Sequence, residues 1–306
     1  MKFGTVRIND TVTAAVEATE GKTVLLDDFA SVDALLALSR EELHHEVDAA
    51  LAHNRRYAIT EVEWLPPVRH PGKVLCVALN NSANPARIMS GPQTPAMFVK
   101  PASSLTGHEQ PIRIGSTYGR VHPEPELAVV IGTTGSDIPV ESALDHVFGY
   151  TIFNDITSPT MRVEDTFHYR AIHPSDTDPD GVRYVDSWVS YPARYKGADT
   201  FGPIGPWVVT ADEVPDPHDL RITCRHDGRV ITDDNTANLR FSVAEVIAFA
   251  STYLTLEAGD IIAMGTALQR ASGGGAVQNI DLHALGGTVE VDIDGIGTLR
   301  NPVVKR

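Results

Sequence analysis

The chain has 306 residues, with 25 Lys and Arg against 40 Asp and Glu, and therefore a formal net charge of −15. Hydrophobic residues make up 42% of the chain and charged residues 21%, which is typical of a globular protein and excludes a disordered one. Such an acidic chain is a poor partner for nucleic acid or an anionic membrane, because both require a basic surface. The charge does not exclude small anionic substrates, because a bound divalent cation reverses the field of an acidic pocket.

The cysteines and the N-terminus indicate a reduced compartment. Cys76 and Cys224 lie in apolar, strand-like runs with neither a CxxC pair nor a Cys/His cluster, so we interpret both as buried core residues rather than zinc ligands. The first residues show no secretory segment, and no apolar run approaches the roughly 18 residues of a membrane span. We therefore expect a cytoplasmic protein.

Residues 1–66 are predicted to form a small N-terminal α/β domain. Three strand-like runs, KFGTVRI, TAAVEA and KTVLL, precede two helical segments. Ser31 is a candidate N-cap of the first helix, and Ser39 with Glu42 forms a capping box for the second. The prolines and glycine of LPPVRHPGK, at residues 65–73, break regular pairing, so we place a boundary there and assign residues 67–306 to a second domain.

The second domain is predicted to be rich in strands. Six runs are mostly continuously apolar, as in strands covered on both faces: residues 74–79, 126–132, 148–155, 205–210, 220–226 and 260–266. Residues 288–304 have the pattern of a terminal hairpin around Asp294 and Gly295. Residues 156–195 form the longest polar, turn-rich segment, which we interpret as a functional or mobile loop.

One amphipathic helix is predicted near the C-terminus. Ser242 and Glu245 form its capping box, and its apolar face consists of Val243, Val246, Ile247, Ala250 and Leu254. The glycine run at 272–276 is interpreted as a flexible loop, since it lacks the Lys-Ser/Thr of a phosphate-binding loop. No glycine fingerprint for dinucleotide binding follows a strand.

Three acidic residues lie at the ends of two predicted strands. Glu124 and Glu126 are two apart, so their Cα atoms lie about 6.6–6.8 Å apart and their side chains leave the same face. Asn154 and Asp155 end an apolar run, where a buried acid must be paired, capped or ligating. A hard divalent cation such as Mg²⁺ suits these carboxylates. Taken singly, a solvated strand end and a turn-forming Asn-Asp remain the simpler interpretations.

Two further positions offer groups for an anionic ligand. Lys196 precedes a turn rich in glycine and proline and can reach an anion as a point charge. Gly265 and Thr266 offer an amide and a hydroxyl at the end of another strand. Each pattern by itself also fits an ordinary surface lysine or strand end.

Taken together in chain order, these motifs resemble the fumarylacetoacetate hydrolase superfamily. The resemblance covers roughly residues 73–304. It is carried by LNN (79–81), PAMFVKPASSL (95–105), EPELAVVIG (124–132), GYTIFND (149–155), KGADTFGPIGP (196–206) and GDIIAMGT (259–266). The agreement of six motifs in one order makes a chance match improbable.

The resemblance implies an α+β fold, a mixed β-sandwich roll with the site at its mouth. It implies Mg²⁺ or Mn²⁺ held by Glu124, Glu126 and Asp155, with Lys196 binding the substrate's oxygens. Thr266 matches the threonine that meets the substrate carboxylate, and Gly265 and Lys100 are assigned to substrate binding through the same motifs. Members act on small anionic 2-oxo and 1,3-diketo acids and are usually homodimers.

The chain departs from the superfamily at the acid/base pair. Hydrolytic members usually carry a His and a Glu after the first motif, and here Asn84 and Arg87 occupy those positions. We hypothesise that His168 or His173 supplies the missing base and that Arg170 clamps a carboxylate. His122 is a further candidate base, and each histidine is equally compatible with a loop residue that never meets substrate.

These features predict a metal-dependent hydrolase that cleaves a C–C bond in an acylpyruvate-like or 1,3-diketo acid through an enolate. The alternative is an enol–keto isomerase or a decarboxylase that acts on a related 2-oxo acid in aromatic catabolism. The absence of the His–Glu pair favours this alternative. A second alternative is a non-catalytic, metal-binding paralogue.

Overall fold

The fold was analysed in a computed structural model that describes residues 1–19, 21–272 and 276–306. The N-terminal part contains β1 (Lys2–Ile8), β2 (Thr11–Thr19), β3 (Lys22–Leu26), α1 (Val32–Leu35), α2 (Arg40–His53), β4 (Arg56–Ala58) and β5 (Glu63–Leu65). The middle of the chain contains β6 (Val74–Ala78), β7 (Ala96–Lys100), β8 (Leu105–Thr106), β9 (Ile112–Ile114), β10 (Pro125–Ile131), β11 (Val147–Asn154), α3 (Pro159–Glu164), β12 (Thr166–Pro174), β13 (Val182–Ser190) and α4 (Ala193–Gly197).

The C-terminal part contains β14 (Gly202–Pro203), β15 (Val208–Thr210), β16 (Arg221–His226), β17 (Arg229–Asn235), α5 (Val243–Tyr253), β18 (Ile261–Ala263), α6 (Leu282–Leu285), β19 (Thr288–Ile293) and β20 (Gly297–Lys305). Short 3₁₀ turns connect several of these elements, and the turn at Pro85–Arg87 matters for the site. No helix among the described residues is long and apolar enough to span a membrane.

Two large sheets organise the molecule. An eleven-stranded mixed sheet has the order β4-β3-β2-β1-β15-β11-β10-β18-β6-β7, with β5 also paired to β1. A five-stranded sheet has the order β17-β16-β19-β20-β9. The strands β12 and β13 form a separate antiparallel ribbon. This mixed-sheet architecture confirms the predicted α+β class with a β-sandwich roll.

The large sheet is covered on both faces, which explains its continuously apolar strands. In β10, Leu127, Val129 and Ile131 belong to a core shared with α5 and the five-stranded sheet. Ala128 and Val130 belong to a second core, shared with α1 and α2 on the opposite face. Successive strand residues point to opposite faces, so a strand buried on both sides has few polar positions, and those it has lie toward its ends or are hydrogen-bonded.

The N-terminal strands continue the large sheet. β1 pairs antiparallel with β15, with Phe3 opposite Val208, and β15 also pairs with β11. Residues of the N-terminal part and of β6 and β10 share the second core. The division into residues 1–66 and 67–306 stays a prediction, and the two parts share one sheet.

Most predicted elements are present. The first three strands, the runs near 74–79, 126–132, 148–155 and 220–226, and the terminal hairpin all form. Both capping boxes form, since Ser39 and Ser242 each accept from the backbone three residues on and each glutamate reaches back. Cys76 and Cys224 are buried and free.

Several predicted elements differ from the structure. The first helix spans only four residues, and the Ser31 hydroxyl bonds the carboxylate of Asp33 instead of capping the backbone. The run 205–210 becomes strand only from Val208, because Pro206 has no amide to donate to a ladder. Leu254, predicted on the buried face of α5, is 38% exposed because it is the C-cap residue beyond the last turn.

The segment 156–195 is not a loop. It contains α3, the β12–β13 ribbon and α4. Its polar residues misled the prediction, because a ribbon exposed on both faces needs no apolar alternation. The glycine loop predicted at 272–276 falls largely on residues 273–275, which lie outside the described residues.

Candidate active site

Three carboxylates converge at the ends of β10 and β11. Glu124, Glu126 and Asp155 each offer one oxygen, and these oxygens all lie within 4.8 Å of one another. β10 and β11 pair antiparallel with Pro125 opposite Asn154, which places the end of one strand beside the start of the other. Asn154 reinforces this register, since its side-chain carbonyl accepts from the Glu124 amide at 2.9 Å.

Two lysines neutralise much of this charge. The Nζ atom of Lys100 donates to Asp155 Oδ1 at 2.6 Å. The Nζ atom of Lys196 donates to Glu124 Oε2 at 2.7 Å and also contacts Asp155 Oδ2. Buried acids are tolerated only with such partners. With all three carboxylates ionised, the five groups carry one net negative charge, and a divalent cation changes it to one net positive charge.

The three buried titratable groups respond differently to this environment. Burial, and then the negative charge of Asp155, raise the pKa of Glu126 well above its ordinary value. Burial also disfavours the charged form of Asp155, but the ammonium groups of Lys100 and Lys196 outweigh it and lower the pKa of Asp155. Burial opposes the charge of Lys196, yet Asp155 and Glu124 raise its pKa, so Lys196 is an ammonium at neutral pH.

The segment after β18 closes the carboxylate cluster. The amide of Gly265 donates to Glu126 Oε2 at 2.9 Å. The hydroxyl of Thr266 lies 3.2 Å from Glu124 Oε2 and 3.2 Å from Glu126 Oε1. Gly265 has φ +102°, and an added Cβ would lie 2.8 Å from the Cβ of Asn80, so only glycine fits this approach. In this structure both residues contact carboxylates of the predicted metal site.

The cluster lies in a cavity of about 380 Å³. The apolar part of its wall comes from β6 and β7, including Val77, Met97 and Phe98. The polar part comprises Asn80, Asn81, Arg87, Glu124, Glu126, Asp155, Thr157, Arg162, Ser190, Lys196, Thr266 and Gln278, with the ring of Tyr195 beside them. The Lys196 Nζ atom lies 5.2 Å from the centroid of the Phe98 ring, which further fixes its position.

The residues fit a hard divalent cation. The donors are all carboxylate oxygens, which Mg²⁺ and Mn²⁺ prefer. Glu126 is 2% exposed, and among the residues that the structure describes it has no positively charged partner within hydrogen-bond distance, so a bound cation would compensate its burial. Deprotonated carboxylates and bound cation stabilise each other.

The structure places the proposed replacement bases away from this cavity. His168 and His173 lie on β12, exposed to solvent, and His168 stacks on Trp188 with ring centroids 3.8 Å apart. Arg170 pairs with Asp186 across the ribbon and is 77% exposed. None of the three lines the cavity. They follow Asp155 in sequence, but α3 and the ribbon carry them outward.

His122 and Lys100 both lie outside the cavity wall. His122 is buried with Nε2 3.8 Å from Glu124 Oε1, beyond hydrogen-bond distance, and does not line the cavity. Lys100 is fully buried against Asp155 and is likewise not in the cavity wall. Lys100 therefore holds a carboxylate of the predicted metal site, whereas the sequence motif had suggested a substrate contact.

Sequence reasoning overlooked several residues of the site. Asn154 was interpreted only as a turn former, yet its side-chain oxygen accepts from the Glu124 amide and so holds Glu124. Arg162 and Tyr195 line the cavity, and no motif marked them. Arg162 lies seven residues after Asp155, and Tyr195 is adjacent to Lys196, so proximity to assigned residues was the available signal.

The fold and the site define a family. Residues 73–304 match the model of the fumarylacetoacetate (FAA) hydrolase C-terminal domain. The chain is 32% identical over 247 residues to the mitochondrial oxaloacetate tautomerase fahd2 of Xenopus laevis, an alignment that covers 80% of this chain and 69% of that one.

Solved structures support the same assignment. Maleylpyruvate hydrolase from Sphingobium sp. SYK-6, in complex with manganese(II) ion and pyruvate, superimposes with a TM-score of 0.71 at 25% identity and covers 100% of this chain and 99% of its own. The 2-hydroxyhepta-2,4-diene-1,7-dioate isomerase from Mycobacterium marinum gives 0.68 at 27% identity, with coverages of 100% and 99%.

The chain therefore belongs to the fumarylacetoacetate hydrolase family, as the sequence motifs predicted. The family contains hydrolases and isomerases, so the protein is an enzyme. This membership weighs against the interpretation as a non-catalytic paralogue.

Proposed function

We propose that the protein catalyses the enol–keto tautomerisation of a small 2-oxo acid, with a divalent cation at Glu124, Glu126 and Asp155. The observation that carries this proposal is the composition of the cavity wall. Within residues 1–19, 21–272 and 276–306, the wall contains no histidine and no carboxylate outside the three predicted ligands. Hydrolysis requires a base to activate water, whereas ketonisation of an enol requires an acid that protonates C3 and then recovers a proton from the enol hydroxyl, and Tyr195 and Lys196 in the wall can fill that role.

The chain's own groups are suited to this reaction. When bound, the cation supplies Lewis acidity toward the oxygens of the 2-oxo acid. Lys196 is held as an ammonium, so it stabilises negative charge on the enolate oxygen. Tyr195 lies against the same cavity, and burial raises the pKa of its phenol, which keeps it a neutral hydrogen-bond donor. The apolar wall from β6 and β7 limits water around the reacting carbon.

The similarity to the oxaloacetate tautomerase supports this proposal at the level of reaction type. C–C bond hydrolysis is a second candidate, favoured by the full-length structural similarity to maleylpyruvate hydrolase. A hydrolase built on this cavity would need a base from elsewhere. We therefore rank tautomerisation first, which reverses the order that the sequence motifs suggested.

The test is ¹H NMR of 2-oxo acids and acylpyruvates in D₂O with the protein and Mg²⁺ or Mn²⁺. We expect protein-dependent loss of the C3 proton signals without fragmentation. A new carboxylic acid product would instead support hydrolysis, and CO₂ release would support decarboxylation. Asp155→Asn should lose the activity, while Asp186→Asn, which removes an exposed ribbon carboxylate, should retain it.

A further inference from the structure

The hydroxyl groups of the cavity wall differ in whether the protein occupies them. The wall contains four of them, on Thr157, Ser190, Tyr195 and Thr266. The Thr157 hydroxyl donates to the Asp155 carbonyl at 2.9 Å. The Ser190 hydroxyl bonds to that of Thr166. The Thr266 hydroxyl lies 3.2 Å from a carboxylate oxygen of each glutamate of the predicted metal site. Within the described ranges, the Tyr195 hydroxyl has no hydrogen-bond partner.

The Tyr195 side chain is buried, yet its hydroxyl is not enclosed. The residue is 8% exposed and belongs to the main hydrophobic core. In the part of the chain that the structure describes, the buried polar side-chain atoms without a partner belong to Thr151, Thr223 and Asn301. The Tyr195 oxygen is not one of them, so it is both unpartnered and accessible. Because Tyr195 lines the cavity, a molecule bound there is the partner that this hydroxyl can reach.

α4 fixes Tyr195 beside the carboxylate cluster. Tyr195 and Lys196 are consecutive in this helix, and both line the cavity. The Tyr195 carbonyl accepts from the Ser158 amide at 3.1 Å, which ties α4 to the segment that follows Asp155. The Tyr195 phenol therefore has a fixed backbone next to the residue that binds two of the predicted ligands.

Lys196 is poorly suited to give up a proton. Its ammonium donates to Glu124 Oε2 and contacts Asp155 Oδ2, so two of its three protons face carboxylates. Burial opposes its charge, but Asp155 and Glu124 outweigh burial and raise the pKa of Lys196. An ammonium held in this way stabilises negative charge on a substrate oxygen and keeps its own protons.

The Tyr195 phenol is suited to proton transfer. Burial raises its pKa, although Arg162 and Lys196 act in the opposite direction, so the phenol is protonated at neutral pH. A phenol is also a stronger acid than the hydroxyl group of serine or threonine. Tyr195 thus combines the more acidic kind of hydroxyl with freedom from any partner in the protein.

We infer that Tyr195 is the catalytic acid of the proposed tautomerisation and that Lys196 stabilises charge without transferring a proton. This inference rests on the proposed function. During ketonisation the phenol O–H bond breaks and its proton is transferred to C3, where the electrons of the C2–C3 double bond form the new C–H bond. The C2–O bond becomes a carbonyl, and the proton of the enol hydroxyl moves to the Tyr195 oxygen and restores the phenol.

The same group acts in reverse, since the phenol oxygen accepts a proton from C3 while its own proton goes to the substrate oxygen. This reverse transfer is what proton exchange in D₂O reports. Tyr195 thereby takes over the acid/base role for which Asn84 and Arg87 are unsuited.

The test compares Tyr195→Phe with the native protein. The substrate is the 2-oxo acid that the native, Mg²⁺-loaded protein exchanges fastest by ¹H NMR. We expect kcat for exchange at C3 to fall about 100-fold or more, the usual contribution of a general acid, with KM unchanged. Calorimetry with oxalate, which mimics the enolate, and electron paramagnetic resonance of Mn²⁺ should give unchanged Kd values, because Tyr195→Phe removes only the hydroxyl.

Two further variants separate the roles. Lys196→Gln should weaken oxalate binding as well as exchange, since it removes the positive charge that faces the ligand's oxygens. Tyr118→Phe is the matched control, because Tyr118 packs edge-on against Phe201 and lies outside the cavity wall, and it should change none of these quantities.

Unchanged exchange in Tyr195→Phe would overturn the inference. So would a Tyr195→Phe variant that loses oxalate and Mn²⁺ binding together with exchange, because the hydroxyl would then maintain the site instead of transferring a proton. A native protein that exchanges no 2-oxo acid would overturn the proposed function itself, which distinguishes that failure from a failure of the role given to Tyr195.

Discussion

The buried carboxylates of Asp155 and Glu126 have different kinds of hydrogen-bond partner. Asp155 receives two ammonium groups, whereas Glu126 receives an amide and a hydroxyl. The two ammonium groups lower the pKa of Asp155, whereas burial raises the pKa of Glu126. The lysines thus neutralise one side of the predicted metal site, and a bound cation would neutralise the other.

Glu126→Gln should weaken Mn²⁺ binding at least about 100-fold, more than the loss of an outer partner usually costs. The amide keeps the size of the side chain but cannot supply a charged oxygen. Electron paramagnetic resonance of free Mn²⁺ gives the affinity directly. Asp186→Asn is the control for loss of one carboxylate, and an unchanged affinity in Glu126→Gln would exclude this residue as a ligand.

A different buried carboxylate organises the cavity wall. Asp234 is 3% exposed and accepts from the side chains of Asn81 and Asn238 at 2.9 and 2.6 Å. It also accepts from the amides of Leu268 and Gln269 at 2.7 and 3.0 Å. It thereby joins the segment after β6 to the segment after Thr266, and both segments contribute residues to the cavity wall.

Asp234→Asn should destabilise the protein by about 2–3 kcal/mol, because it turns one acceptor into a donor that faces other donors. Urea unfolding measures the change in the free energy of unfolding. The adjacent Asp233→Asn is the matched control, since Asp233 pairs with Arg221 at the surface and should cost less than about 1 kcal/mol. Equal costs for the two variants would contradict the role given to Asp234.

At the scale of elements, α5 illustrates a helix whose start is determined locally. The Ser242 Oγ atom accepts from the Glu245 amide at 3.2 Å, and Glu245 Oε2 accepts from the Ser242 amide at 2.7 Å. Val243, Val246, Ile247 and Ala250 are buried against the sheets. The capping residues and the apolar face therefore predict the same helix, and this helix forms over eleven residues.

Ser242→Ala should lower the free energy of unfolding by about 1 kcal/mol, the usual cost of an N-cap. Thermal and urea unfolding provide the measurement. Ser116→Ala, at an exposed loop position without a side-chain hydrogen bond, is the control and should change stability by less than about 0.5 kcal/mol. A Ser242 variant as stable as the control would show that packing alone fixes the helix start.

The same capping box gives a pH dependence. The backbone amide of Ser242 lowers the pKa of Glu245 below its ordinary value of 4.5. A group whose pKa is depressed in the folded state stabilises it above the unfolded pKa, and this stabilisation is lost as the pH falls through the folded pKa. The stability difference between the native protein and Glu245→Gln should therefore be constant near pH 7 and shrink below pH 4.5. A difference that grows on acidification would contradict this assignment.

At the scale of the whole molecule, one sheet extends through both predicted domains. β1 pairs with β15 and so joins the N-terminal strands to the rest of the sheet. On one face of this sheet, α1 and α2 share a hydrophobic core with buried residues of β6, β10 and β18. The net charge of −15 is distributed over the same molecule, while the cavity would be positive with a divalent cation bound. An acidic protein can therefore attract an anionic substrate to one place.

Removal of residues 1–66 should abolish cooperative folding of the remainder, because it uncovers the β15 edge and one face of the large sheet. Circular dichroism and thermal unfolding of fragment 67–306 measure this. The control replaces residues 167–189 of the β12–β13 ribbon, whose strands pair only with each other among the described residues, by a Gly-Ser linker and should still fold. A fragment 67–306 with a sharp unfolding transition would establish an autonomous domain.

The sequence by itself determined the strands that are apolar on both faces, the two capping boxes and the three carboxylates at Glu124, Glu126 and Asp155. Each of these features is specified by residues close together in sequence or by a family motif. Each can therefore be recognised before the fold is known. The terminal hairpin belongs to the same group, since its turn residues specify it locally.

The motifs placed four further residues in the site, but only the tertiary structure decided that they contact the carboxylates. Lys100, Lys196 and the pair Gly265–Thr266 come from three separate parts of the chain and meet through sheet pairing. His168 and His173 follow Asp155 closely in sequence, yet the ribbon carries them away, while Arg87 is brought into the cavity from far along the chain. Proximity in sequence cannot predict such placement, because the direction in which each strand and helix leaves the sheet depends on the packing of the whole molecule.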